Sequence, residues 1–210
     1  MTDAQFLWHI SVNILVAIGT LGSVIVALFG QWLRLKLWPP KIRMSLVSAL
    51  GEKTLENSPD GKLEVRYYHL HVENDRPWSP ATSACVEFVR LEEPGPDETY
   101  QVTWFGRVPI RRRHQEMYQL TTDIGSPVDY DVCRVSSGRS PTLKLMPIIV
   151  PNNLKIQYVG SRRLRLFLQV NSLQNVQTAL LVEIAWDGQW DDGDAEMAKH
   201  FKIKVLRHAG

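Results

Sequence analysis

Residues 6–33, FLWHISVNILVAIGTLGSVIVALFGQWL, contain no Lys, Arg, Asp or Glu. An uncharged run this long cannot sit on the surface of a water-soluble fold without aggregating. It must be buried, removed or placed in lipid. Its apolar heart, residues 10–29, spans about 30 Å as a helix, which matches the hydrocarbon thickness of a bilayer. Trp8 stands before this heart and Trp32 after it, where indole rings favour the two headgroup layers. A cleaved signal peptide would need a basic stretch ahead of a shorter apolar core. The only charge ahead of this run is Asp3. The expectation is therefore an uncleaved, single-pass transmembrane helix.

The charges behind the run set an expected orientation. Arg34, Lys36, Lys41 and Arg43 follow within a few positions and no acid stands among them. Basic flanks are retained on the cytoplasmic side, which puts the N-terminus outside and the C-terminal part in the cytoplasm, at the inner (plasma) membrane. Trp38, Pro39 and Pro40 then end the helix, because proline lacks an amide hydrogen and disfavours a helical residue before it. Within the span, Gly19, Ser23 and Ala27 recur every four residues. They give a face of small side chains where a second helix, including another copy, could pack closely. Two cysteines, Cys85 and Cys133, make no disulfide framework and suit a reducing compartment, although a single bridge between them would reverse the topology.

The remaining chain reads as mainly β, with residues 1–38 as anchor and flanks and 39–210 as one antiparallel immunoglobulin-like β-sandwich or small barrel. Strands are expected at 41–50, 62–74, 83–91, 100–105, 117–120, 142–145, 163–170, 179–186 and 201–206, with Gly and Pro turns between them. Seven to nine strands and a short helix at 194–199 complete the expectation. In KLEVRYYHLHVEN, residues 62–74, the apolar phase shifts by one residue between Tyr67 and Tyr68, which marks a bulge.

The stretch YYHLHVENDRPWSPATSACVEF, with VPNNL (150–154) and WDGQWDDGDAEM (186–197), resembles short bacterial proteins with one N-terminal transmembrane helix and a β-sandwich domain. That resemblance implies this layout and no activity. The Asn74, Arg76, Ser79, Pro80, Ala81 pattern is also similar to the first hairpin of many immunoglobulin-like sandwiches.

Three constellations could carry chemistry. His69 and His71 lie two apart in a strand and so share a face. They permit a metal pair, with Cys85 and Glu87 as partners from a neighbouring strand. Zinc sites usually show their full ligand set at recognisable spacing, and none is present, so a solvent-facing strand is the favoured reading. The acidic run Asp187, Asp191, Asp192, Asp194 and Glu196 places Gly one residue late for a calcium loop and is read as turns. Arg111, Arg112 and Arg113 could bind phosphate, since guanidinium groups match phosphate oxygens in pairs. A solvated loop or edge strand whose charges block sheet-to-sheet aggregation is the favoured reading.

No nucleophile elbow, phosphate-binding loop or dinucleotide fingerprint occurs, and no cofactor is implied. Arg34 and Lys36 against Asp3 account for half of the chain's +2, so the domain is close to neutral and lacks the basic footprint of nucleic-acid binders. Two functions follow as expectations. The first is a non-enzymatic interaction or scaffold protein that holds a protein partner at the membrane. The alternative is a ligand-gated membrane effector, similar in layout to those of bacterial antiphage signalling, that senses a phosphorylated small molecule through Arg111, Arg112 and Arg113.

Overall fold

In the computed structural model, residues 3–59, 61–113, 120–174 and 178–209 are described. The chain divides into two compact units, Met1–Pro39 and Pro40–Gly210. The first is one helix, α1 (Asp3–Leu37), whose stretch Ser11–Gly30 is long and apolar enough to cross a bilayer. From residue 11 to residue 29 every side chain is exposed, as expected of a helix that has no protein core to bury it. Thr20 and Ser23 turn their hydroxyls back onto the carbonyls of Val16 and Gly19, at 2.8 and 2.9 Å. This spares them an unpaired polar group in an apolar setting. The helix stops at Leu37, ahead of Pro39 and Pro40.

The second unit is two antiparallel sheets. Its elements are β1 (Ile42–Leu46), β2 (Glu52–Ser58), β3 (Gly61–Asn74), β4 (Ala81–Pro94), β5 (Tyr100–Pro109), β6 (Thr122–Ile124), β7 (Val128–Ser136), β8 (Thr142–Leu145), β9 (Gln157–Val159), β10 (Arg162–Asn171), β11 (Thr178–Trp186), α2 (Asp194–His200) and β12 (Phe201–Ala209). One sheet runs β1-β3-β7-β8-β9 with β2 on the β1 side of β3. The other runs β12-β11-β10-β4-β5 with β6 against β4. The mainly-β architecture is as expected and compatible with an immunoglobulin-like sandwich. The twelve strands among the described residues exceed the seven to nine expected.

The inward faces are apolar at every second position. Met44, Leu70 and Val72 of the first sheet and Val86, Leu166, Leu168, Val182, Ile184 and Trp186 of the second all lie in one buried core. Each such side chain contributes about 1.5–3 kcal/mol on leaving water. Tyr68 of β3 stacks on Phe201 of β12 with ring centroids 4.1 Å apart, which joins the two sheets directly. The Trp186 indole N–H donates to the Gln189 carbonyl at 2.8 Å, so its burial leaves no donor unmet.

Four strands were not foreseen. β2 carries almost no apolar residue, and Leu55 is exposed. It forms because the turn at 58–61 folds it back along β3, with Ser58 opposite Gly61 and Glu52 opposite Tyr67. β7 lacks a clean alternation because Asp129, Asp131 and Arg134 interrupt its apolar residues, yet it lies at the centre of the first sheet. β6 and β9 are three residues each. The strand expected at 117–120 lies outside the described residues apart from Leu120, which belongs to no strand. The bulge expected on β3 between Tyr67 and Tyr68 is instead on β7: the register slips between Tyr68 and His69, and Val132 is the extra residue.

Candidate functional site

The outer face of the first sheet carries a continuous polar array. On β3 it presents Tyr67, His69 and His71, and β7 sets Arg134, Asp131 and Asp129 opposite them. The bulge makes this possible, because β7 carries one extra residue there, and without it a carboxylate would not face each imidazole. Residues 111–113 extend the array as an added edge. The Asp131 amide donates to the Arg111 carbonyl at 2.7 Å and the Arg113 amide to the Asp129 carbonyl at 2.9 Å. The segment is extended, so its side chains alternate. Arg111 and Arg113 face the array, while Arg112 donates to the Thr122 hydroxyl at 3.0 Å.

Between these elements lies a cleft of about 200 Å³ lined by Glu52, Thr54, Tyr67, His69, Asp131, Arg111 and Arg113. Gly51 lets the chain enter it: its φ is +72°, and a Cβ there would meet Arg66 Cγ at 2.8 Å and the Tyr67 carbonyl at 2.9 Å. Only glycine fits such a position, and it brings Glu52 beside β3. His69 is 6% exposed, which corrects the expectation of a solvent-facing histidine. Its Nδ1 lies 2.9 Å from Asp131 Oδ1, its Nε2 lies 3.7 Å from Glu52 Oε2, and its ring is parallel to Tyr67 with centroids 6.0 Å apart. Arg113 Nη2 donates to Glu52 Oε1 at 2.6 Å. Arg111 is exposed and its guanidinium has no side-chain partner among the described residues.

Beside the cleft, Glu56 accepts from both the Tyr67 hydroxyl and Arg134. Burial alone would raise the Glu56 carboxyl, but these two hydrogen bonds outweigh it and hold the group below its ordinary range. Burial and the bond to Glu56 push the Tyr67 hydroxyl up. The result is a fixed pattern of opposite charges rather than a proton-transfer pair. No hydroxyl or thiol is hydrogen-bonded to His69 among the described residues.

The four residues of the metal reading fall on two different sheets. His71 gives Nδ1 to Asp129 at 2.7 Å and His69 gives Nδ1 to Asp131, so each imidazole is held by its own carboxylate. Cys85 and Glu87 lie on β4 in the other sheet and are not strand neighbours of the histidines. No group of three or more His, Cys, Asp or Glu is placed to hold a metal among the described residues. In the acidic run, Asp187 accepts from the Gln189 amide and bonds His200, and Asp191 accepts from the Gly193 amide. Asp192 pairs with Lys53 and Asp194 with Arg66. Cys85 and Cys133 are free thiols. Burial pushes Cys85 up to about 11 and raises the fully buried Cys133 further still.

On α1, Gly19, Ser23 and Ala27 lie on exposed positions, and a Cβ at Gly19 would meet nothing within 4 Å. Sequence reasoning missed Glu52, Thr54 and Asp131 as parts of the site. All three lie on strands that show no apolar stripe. Comparison with protein-family models, with curated proteins and with solved structures gives no match.

Proposed function

We propose that the chain is a single-pass membrane protein whose β domain is a non-enzymatic binding module, and that the Arg111–Glu52 cleft receives charged side chains of a protein partner. The observation that carries this reading is the cleft itself. It sets Arg111, whose guanidinium has no side-chain partner among the described residues, beside an Arg113–Glu52 pair and a buried His69–Asp131 pair. Mixed charge favours a partner surface of mixed charge. A volume of about 200 Å³ holds one or two side chains, whereas enclosed small-molecule sites span roughly 300–1,000 Å³. Photo-crosslinking from position 111 tests the proposal.

A second reading, the sensing of a phosphorylated small molecule, has one observation in its favour. A hollow of about 550 Å³ near the β2–β3 turn is lined by Lys62, Arg139, Ser58 and Ser137, which offers the size and charge that the Arg111 cleft lacks. Direct binding of a nucleotide that is lost in Lys62→Glu/Arg139→Glu, and kept in Arg111→Glu, would favour it over the first.

Orientation belongs to the same proposal: the N-terminus outside and the β domain cytoplasmic. It is supported by the basic residues that follow α1 and by the two free thiols. The native cysteines are poor reporters, because buried thiols with raised pKa form little thiolate. They are expected to react with maleimide far more slowly than an introduced surface cysteine. Val159, exposed at the end of β9, provides one. In intact cells an impermeant maleimide is expected to label Thr2→Cys and not Val159→Cys, which becomes reactive on permeabilisation. The reverse pattern would place the domain outside and overturn the orientation.

A further inference from the structure

The strand registers gather several loops at one end of the β domain, the end where the chain arrives at Ile42. Ile42 pairs with Asn74 at the close of β3, so the β3–β4 loop, 75–80, lies there. Asn171 pairs with Cys85 near the start of β4 and Val170 with Thr178, so residues 172–174, which follow β10, lie there too. The Thr178 hydroxyl donates to the Ile42 carbonyl at 3.3 Å, which ties the start of β11 to β1.

Both loops turn a large apolar side chain to water. Trp78 is 57% exposed and Leu173 is 74% exposed. The exposure of Trp78 is built in. Asn74 is buried beneath its loop and donates to the carbonyls of Ser79 and Ile124, at 2.8 and 3.1 Å. The Asn74 carbonyl oxygen of the side chain accepts from the amides of Lys41 and Arg76 at 3.0 Å each. A loop pinned to Asn74 at Arg76 and Ser79 presents its indole outward by design of the fold. On the far loop, the Leu173 amide donates to the Thr82 carbonyl at 3.1 Å, which fixes the backbone under that side chain as well.

Chain length says what these residues meet. Four residues, 38–41, lie between the end of α1 and the start of β1, and so short a connection reaches at most about 18 Å when extended. Where α1 crosses a bilayer, this connection keeps Ile42 within reach of the lipid. Indole rings partition to the headgroup layer and aliphatic side chains just below it. Two cations at this end meet two carboxylates: Lys41 lies 3.1 Å from Asp75, and Arg43 lies 2.9 Å from Asp75 and 3.6 Å from Glu73. Contact is therefore apolar rather than driven by anionic lipid. We infer that Trp78 and Leu173 are lipid-docking residues that seat the Ile42 end of the domain in the headgroup layer. This rests on the reading of α1 as a membrane span.

The test uses the full chain reconstituted in phosphatidylcholine vesicles, with a solvatochromic maleimide on Trp78→Cys, Leu173→Cys or Val159→Cys. Position 159 lies across the sheet from Thr142, toward the opposite end, and the unsubstituted chain is the labelling blank. Probes at 78 and 173 are expected to emit at shorter wavelength than the probe at 159 and to be quenched at least about twofold by nitroxide-bearing lipid, as groups at the lipid boundary are. Water-like, unquenched probes at 78 and 173 on a chain that floats with the vesicles would overturn the inference alone. A blue shift without lipid quenching would do the same, because it would mean burial against protein. A chain that does not float with the vesicles would overturn the membrane span and this inference with it.

Discussion

Tyr68→Ala is expected to cost the β domain about 3–5 kcal/mol, as removal of a large buried aromatic does when neighbours cannot close the gap. The side chain is 1% exposed and stacks on Phe201 from the other sheet. The loss thus falls on the contact that holds the two sheets together. In a domain of this size the midpoint of thermal unfolding should drop by about 10 °C or more. Tyr68→Phe keeps the ring and should stay within about 1 kcal/mol of the parent. If Tyr68→Ala unfolded at the parent temperature, β3 would not face β12 as described.

The second large effect concerns the residue two positions earlier on the same inward face. Arg66 is 1% exposed, an unusual place for a guanidinium. It donates to the Leu50 carbonyl at 3.0 Å, to Asp194 Oδ1 at 2.6 Å and to the Asp192 carbonyl at 3.2 Å. These bonds fasten the turn before β2 and the acidic segment leading into α2 to the centre of the domain. Arg66→Met fills the stem's volume but makes none of them. The expected loss is about 2–4 kcal/mol, since hydrogen bonds from charged donors are strong and Arg66→Met removes three of them. Asp194→Asn should cost less than about 1 kcal/mol, because the carboxylate is 66% exposed and water replaces its partner. Thermal unfolding of the two variants and their double mutant checks this. An Arg66→Met variant as stable as the parent would show that the acidic segment is held by something else.

These two residues also show where the sequence was legible. Tyr68 stands in an apolar stripe of period two with Leu70 and Val72, and that pattern predicted its inward face. Arg66 stands one step before the apolar phase shifts and reads as a surface residue, because nothing local announces its three distant acceptors. The same holds for the candidate site. Arg111 and Arg113 were visible as a cluster, but their separation from Arg112 depends on pairing with β7, a strand concealed by its own aspartates. His69 and His71 were correctly placed on one face. Their partners were not, since Asp129 and Asp131 come from a strand some sixty residues away and Glu52 from a strand with no apolar face. Apolar periodicity reveals which side of a strand is buried. It does not reveal which strands are neighbours, and sites on an outer sheet face are made by neighbours.

The central claim is that the Arg111–Glu52 cleft holds a protein partner. The most direct test places a photoreactive residue at position 111 of the full chain and irradiates native membranes. One discrete adduct larger than the chain is expected, lost when Glu52→Arg reverses the charge beside Arg113 and unaffected by Val159→Arg at the far end. No adduct, or a diffuse pattern indifferent to the Glu52 change, would contradict it.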